Sequence, residues 1–397
     1  MQQRRFALFF TVTLLLSATA TIYAQQYQVR KTPASKALRA DFVDDTSVSG
    51  YANGYFWALN RNNGASYLVD SLLQTCGALR LLRTSDGFWP MFDENGRATA
   101  RLADGTCVVI NTKAEVIKEF KGAMAISRRF VDGLAYVAVP AGTATYDVRY
   151  IDTDGNFIYP NLTGKGLMAG HFEVARVSPL VDGRRRFYDF AKERYGFIDQ
   201  SGNVVIEPQF TAAHDFSDGL AAVSKSTEYN KLWGYVDRDG NYVISPVFHV
   251  EPDDFHDGYA IATKTNGKKV YFDKSGTVMS KEFDVAFRFF CGYAMANTEN
   301  RFGPDLTHYH ILDTTFKSVR QIDFMRDGAT INYCEKNRTF STPFRVYSPD
   351  GQLLFTTGFS PLRQPFDDEY ALYSSNEIFG FIDRTGAFFI YFVKSEF

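Results

Sequence analysis

The chain is short of cysteine, of net charge and of long apolar runs, and each shortage removes a class of function. Beyond residue 24 no segment approaches the roughly 18 uninterrupted apolar residues that a membrane-spanning helix needs. The formal net charge is −2, whereas binding to nucleic acid or an anionic membrane calls for clustered Lys and Arg. The one dense basic run, Arg184-Arg185-Arg186, lies between two recognisable segments and is read as a solvated loop. Missing too are a Gly-x-Ser-x-Gly nucleophile elbow, a phosphate-cradling glycine loop before a helix and a metalloprotease helix motif. The chain is therefore not expected to be an enzyme, and no catalytic, cofactor-binding or metal residue is assigned.

The four cysteines are Cys76, Cys107, Cys291 and Cys334. In an exported protein they invite a disulfide framework, but their positions in the repeat described below differ. Cys291 sits just before the Gly of its unit, and Cys334 falls well beyond the Gly of the next. That offset corresponds to roughly 20 Å of strand, against the about 7 Å between Cα atoms that a bond allows. Mostly free, buried thiols are expected.

Export itself is read from the start of the chain. Arg4 and Arg5 precede a mostly apolar stretch from Phe6 to Leu16, then a small-residue tail from Ser17 to Ala24. Residues 1–24 have the layout of a signal peptide with cleavage expected after Ala24. No Cys follows the apolar stretch before Cys76, which argues against a lipid anchor. Residues 25–45 form a polar linker, and 46–397 form the array. The expected location is the periplasm, the outside of the cell or its surface.

What the chain has in abundance is repetition. The clearest copy runs Phe216-Ser-Asp-Gly-Leu-Ala-Ala-Val223, then Trp233-Gly-Tyr-Val-Asp237, then Gly240 and Tyr242-Val-Ile244. One anchor is a Gly before a strand, at Gly54, Gly87, Gly133, Gly219, Gly258, Gly292 and Gly328, with Glu173 and Glu369 holding the place in two copies. The other is a polar residue closing the next strand: Asp70, Asn111, Asp152, Asp199, Asp237, Asp273, Asp313, Ser348 and Asp383. Both series count nine units, spaced by about 39 residues. Each unit reads as a meander, with a small-residue strand, a variable link, an aromatic strand, an Asp-x-x-Gly turn and a third strand. Pro208 and Pro246 cannot donate to a ladder, so they mark where the third strand stops or reaches an edge. The aromatics spaced from Phe210 to Phe216 and from Phe248 to Phe255 are expected to pack between neighbouring units, since one small sheet cannot bury enough alone.

The Trp233-Gly234 pair, relaxed to Tyr195-Gly196 and Phe379-Gly380, together with Ile206-Glu-Pro-Gln-Phe210, resembles the WG (KWG) repeat family. That resemblance is tight over residues 187–280 and 366–390 and looser elsewhere. It implies a repeat scaffold with a binding role and brings no catalytic residues. The expected fold is all-β: a tandem array of about nine short meander units, β-propeller-like, with an open or spiral β-solenoid as the alternative.

Several side-chain groups were candidates for chemistry. Asp152-Thr-Asp154-Gly155 and Asp237-Arg-Asp239-Gly240 look like calcium loops but lack the remaining ligands, so they are read as turns. His308 and His310 share a strand face with no third metal ligand visible, while His214, His249 and His256 fall in links where they could meet. Asp253-Asp254 and Asp367-Asp368 precede a first strand and are read as structural or solvent-facing. The surplus of Tyr and Phe permits stacking on sugars, although core packing accounts for the rings first. The function expected is an exported, non-enzymatic scaffold binding a protein partner, with a glycan-binding module of the cell envelope as the alternative. The variable links, Ser224 to Leu232, Asn297 to Thr307 and Pro179 to Arg194, are the surface to inspect.

Overall fold

In the computed structural model the described residues are 49, 52–59, 63–72, 74–82, 89–160, 162, 164–167, 178–226, 231–298, 308–323, 331–335, 338–342, 344–356, 362–364, 370–374, 378–384, 386 and 388–393. The signal peptide and the linker proposed for residues 1–45 lie outside them, as do Gly87, Glu173, Gly328, Asp367, Asp368 and Glu369. The fold is all-β and β-propeller-like, with nine sheets of two to five strands and no helix among the described residues.

Unit five shows why the sequence folds this way. Its four antiparallel strands are Ala212–Ala213, Ala221–Ser224, Trp233–Val236 and Tyr242–Phe248, hydrogen-bonded in chain order. The inner segment between Phe210 and Phe216 is thus extended enough to supply a fourth strand. All residues of Ala221–Ser224 and of Trp233–Val236 are buried, because the sheet is covered on both faces. Side chains alternate across a strand, so Leu220, Ala222 and Tyr235 enter the core shared with unit six. Ala221, Val223 and Val236 enter the core shared with unit four. Small residues on the second strand let the neighbouring sheet approach, and the large rings fill the space between. Phe210, Phe216 and Phe255 are buried in these inter-unit cores, as their spacing predicts.

The same arrangement joins each sheet to the next along the chain. The last sheet also returns to the first: the rings of Phe56 and Phe381, both buried, lie 5.2 Å apart. The array therefore closes, which decides for the ring and against the open solenoid.

The Trp-Gly and Glu-Pro signatures explain one another. Trp233 pairs with Phe248 and Tyr235 with Ile244, so Gly234 alone faces Ser245, Pro246 and Val247 across a bulge. A Cβ added at Gly234 would stand 2.6 Å from the Ile244 carbonyl oxygen, and one at Gly196 would stand 2.7 Å from that of Ile206. Pro208 and Pro246 do not end their strands, contrary to one expectation. Val204–Phe210 and Tyr242–Phe248 continue through the proline as the last strand of each sheet, because the bulge removes the need for its N–H.

All nine polar anchors close the aromatic strand as expected. Three of the glycine anchors need correction. In unit two the glycine before the strand Arg97–Arg101 is Gly96, not Gly87. In unit four the turn is Asp182-Gly183, not a site near Glu173, and the strand that follows is Arg185–Asp189. In unit eight the strand Thr339–Ser341 follows Arg338, not Gly328. The basic run Arg184-Arg185-Arg186 is consequently no solvated loop, and Arg185 is 5% exposed. Its charge is buried because Asp132 stands 3.7 Å away and the carbonyls of Ser178 and Val131 accept from its guanidinium.

Candidate functional site

In the four-stranded sheet of unit five, two kinds of turn lie at one end and the variable link lies at the other. This follows from antiparallel order: the tight turn before Leu220 and the turn Asp237 to Gly240 flank the same end, whereas the chain from Ser224 to Trp233 crosses the opposite one. Links of successive units consequently emerge on one face. Of the three links singled out, Pro179 to Arg194 proves to contain a strand, while residues 227–230 and 299–307 of the other two lie outside the described set.

The turn face is a repeated hydrogen-bond relay. In Ser217-Asp218-Gly219-Leu220 both central residues are left-handed, with φ of 53° and 85°, the combination a tight two-residue hairpin demands. Asp218 Oδ2 then accepts the Gly258 N–H of the next unit at 2.7 Å. Asp182 accepts from Gly219 at 2.7 Å, Asp257 from Gly292 at 2.8 Å and Asp132 from Leu180 at 2.6 Å. Each carboxylate staples its unit to the following one. Unit one varies the chemistry, since Asn53 donates to the Phe92 carbonyl at 2.6 Å.

The Asp-x-x-Gly turns behave as read. Asp152 Oδ1 accepts the N–H groups of Asp154 and Asn156 at 3.0 and 2.8 Å, and Asp237 Oδ1 those of Asp239 and Asn241 at 3.0 and 2.9 Å. These carboxylates serve the turn. Burial works against the charged form, but the Asn241 and Asp239 N–H groups and the Asn241 side chain together outweigh it, so the Asp237 carboxyl is held below its ordinary value.

A second chain of pairs crosses the units along their inner segments. Arg186 meets Asp215 at 3.2 Å, and its guanidinium also donates to the Ala213 carbonyl and lies over the Tyr195 ring. His214 is held between Asp254 at 2.7 Å and Glu251 at 2.8 Å, edge-on to Trp233. Burial disfavours its imidazolium, but hydrogen bonds and charge from Asp254 and Glu251 prevail and raise its pKa. When the ring is protonated, each nitrogen donates to one of the two carboxylates. His256 lies 3.0 Å from the Arg288 guanidinium, which also reaches Glu335 at 3.0 Å and stacks on Tyr333. Burial, then the Arg288 charge, lowers its pKa. His214 and His256 thus take different partners, Asp254 and Arg288, and His249 is exposed. Asp253 is solvent-exposed and also structural, since its backbone carbonyl accepts the Tyr235 hydroxyl at 2.5 Å.

His310 bonds Ser318 at 3.0 Å on the strand His308–Leu312. Among the described residues no group of three or more His, Cys, Asp or Glu has an arrangement that could hold a metal ion. None of the four cysteines forms a disulfide, with Cys107 and Cys334 buried and Cys76 and Cys291 partly exposed. Among the described residues the Phe and Trp rings lie mostly in the core. Trp57, Tyr235, Tyr271 and several Phe rings are fully buried, and Phe157, 48% exposed, is the one Phe or Trp among the described residues counted as strongly exposed.

A cleft of about 590 Å³ opens on the turn face where units seven, eight and nine meet, lined among others by Cys291, Tyr293, Arg338, Ser348, Asp350 and Arg384.

Residues 195–226 and 233–268 match the family model of the WG containing repeat. No curated protein matches the chain. Among solved structures the chain is similar to BamB from Moraxella catarrhalis, at 12% identity over 77% of this chain and 95% of that one, with a TM-score of 0.40. It is similar also to the computationally designed Ika8 protein, at 12% identity over 75% and 93%, TM-score 0.37. The C-terminal WD40 domain of Sif2 follows at 9% identity over 73% and 89%, TM-score 0.35.

Proposed function

We propose that this chain, which carries tandem WG containing repeats, is an exported, non-enzymatic scaffold that holds a protein partner on its ring. The observation that carries the proposal is the division of labour in the fold. Titratable groups between units are committed to one another, as in Glu251-His214-Asp254 and His256-Arg288-Glu335. The connections that vary in length emerge together on one face. Such a ring offers a broad preorganised surface, which lowers the ordering cost of association. The signal-peptide pattern of residues 1–24 supports an envelope or extracellular setting. The burial of most described Phe and Trp rings favours this reading over a glycan-stacking surface.

The test is capture from envelope extracts on the immobilised chain, with mass analysis of the exported product. A reproducible partner and a product beginning at Gln25 are expected. No partner across repeated captures, or an uncleaved and retained product, would count decisively against the reading.

A further inference from the structure

The turn relay is interrupted at one junction. In units three, four, five and six an Asp of the inter-unit turn supplies a carboxylate to the next unit. In unit seven that position is Cys291, still left-handed at φ 53° and followed by Gly292. In unit eight the glycine is replaced as well. Ala294 pairs with Leu312 just before Asp313, and Phe340 pairs with Tyr347 just before Ser348, which puts Arg338 in the register place of Gly292. The junction thus loses a carboxylate and gains a guanidinium, at the mouth of the cleft of about 590 Å³.

Arg338 is exposed, and its side chain meets the Cys291 sulfur, with Asp257 exerting a smaller influence. Asp257 is already bound to the Gly292 N–H. Asp350, on the cleft wall, accepts from Ser348 and faces Arg320 at 3.5 Å. Arg384 of unit nine also lines the wall. The partner of Arg338 is thus a sulfur where the preceding junctions use a carboxylate, and carboxylate is the natural complement of a guanidinium in both shape and sign.

We propose that this cleft is a carboxylate-binding site whose occupant is an acidic side chain of the protein partner, set where the missing turn carboxylate would stand. This assignment rests on the scaffold reading above. The volume suits a short segment around the acidic residue, being within the range of ligand clefts.

Succinate is the probe, with uncharged succinamide as control. Readouts are the thermal midpoint and the rate of Cys291 alkylation in a Cys76→Ser background, since Cys76 is also partly exposed. Succinate, and not succinamide, is expected to raise the midpoint and slow alkylation, with affinity at least about tenfold weaker in Arg338→Ala. Cys291→Asp supplies the carboxylate within the chain. It should melt above the wild type without ligand and show no response to succinate. Equal effects of the two probes, or an unchanged response in Arg338→Ala, overturns the site. A partner captured equally by wild type and Arg338→Ala leaves the scaffold standing and removes the site. Succinate binding with no partner captured overturns the acidic-partner assignment.

Discussion

Single residues in this ring are constrained mostly by what the neighbouring strand or unit puts against them. Gly234 is held by the bulge at Pro246, so Gly234→Ala should destabilise by about 1–3 kcal/mol, measured by denaturant unfolding, with no loss expected from Pro246 itself. Ala114 and Phe316 take the turn position that is glycine in Asp-x-x-Gly copies, at φ of 59° and 62°. Phe316 is retained there by its packing against Tyr259, Tyr271 and Phe289. Ala114 has a smaller side chain to lose, and Ala114→Gly should raise the thermal midpoint because left-handed backbone strains any residue with a Cβ. The two inner histidines carry opposite pH dependence. The pKa of His214 is raised in the fold, so its contribution is complete below its unfolded value of about 6.5 and is lost as pH rises through the folded value. His256 is lowered, so its contribution is present above about 6.5 and lost as pH falls through its folded value. His214→Gln should therefore cost more stability at about pH 5.5 than at about pH 8.5, and His256→Gln the reverse. Parallel pH profiles for the two variants would refute that assignment.

At the scale of elements the relay turn is the informative unit. Asp218 combines a left-handed backbone with a bond to the next unit, so Asp218→Ala loses both and should cost about 1–2 kcal/mol. Asp218→Asn keeps an acceptor oxygen and tolerance of positive φ and should cost under about 0.5 kcal/mol. Chemical unfolding of the two variants side by side distinguishes the roles. Much of this level was legible in the residues alone. The anchors from Asp70 to Asp383 mark the real strand ends, because an Asx turn has a local chemical signature that survives any neighbour. The glycine anchors failed where a unit departs from the pattern. Arg184-Arg185-Arg186 looks like a loop until Asp132 of another unit comes within reach of Arg185. Unit eight has no glycine before Thr339, and only strand register reveals Arg338 in its place. The pairs His214–Asp254 and His256–Arg288 join residues 40 and 32 apart in sequence, so composition could identify the links and not the partners.

For the whole molecule the decisive contact is between the ends of the array. Phe56 and Phe381 are each about fully buried at the junction of first and last sheets. Phe56→Ala or Phe381→Ala should each cost about 3–5 kcal/mol, and the double variant should cost less than the sum, since both changes empty one shared space. Additive losses in calorimetry or denaturant titration would mean that the two rings are energetically independent. The closure has a further meaning for how the polypeptide is threaded. Once head and tail meet, no unit is first by physical necessity, and the point where synthesis begins becomes a matter of genetic layout. A permuted gene that joins the old termini by a flexible tether and opens at the short connection between Thr263 and Lys269 should still yield the same round body.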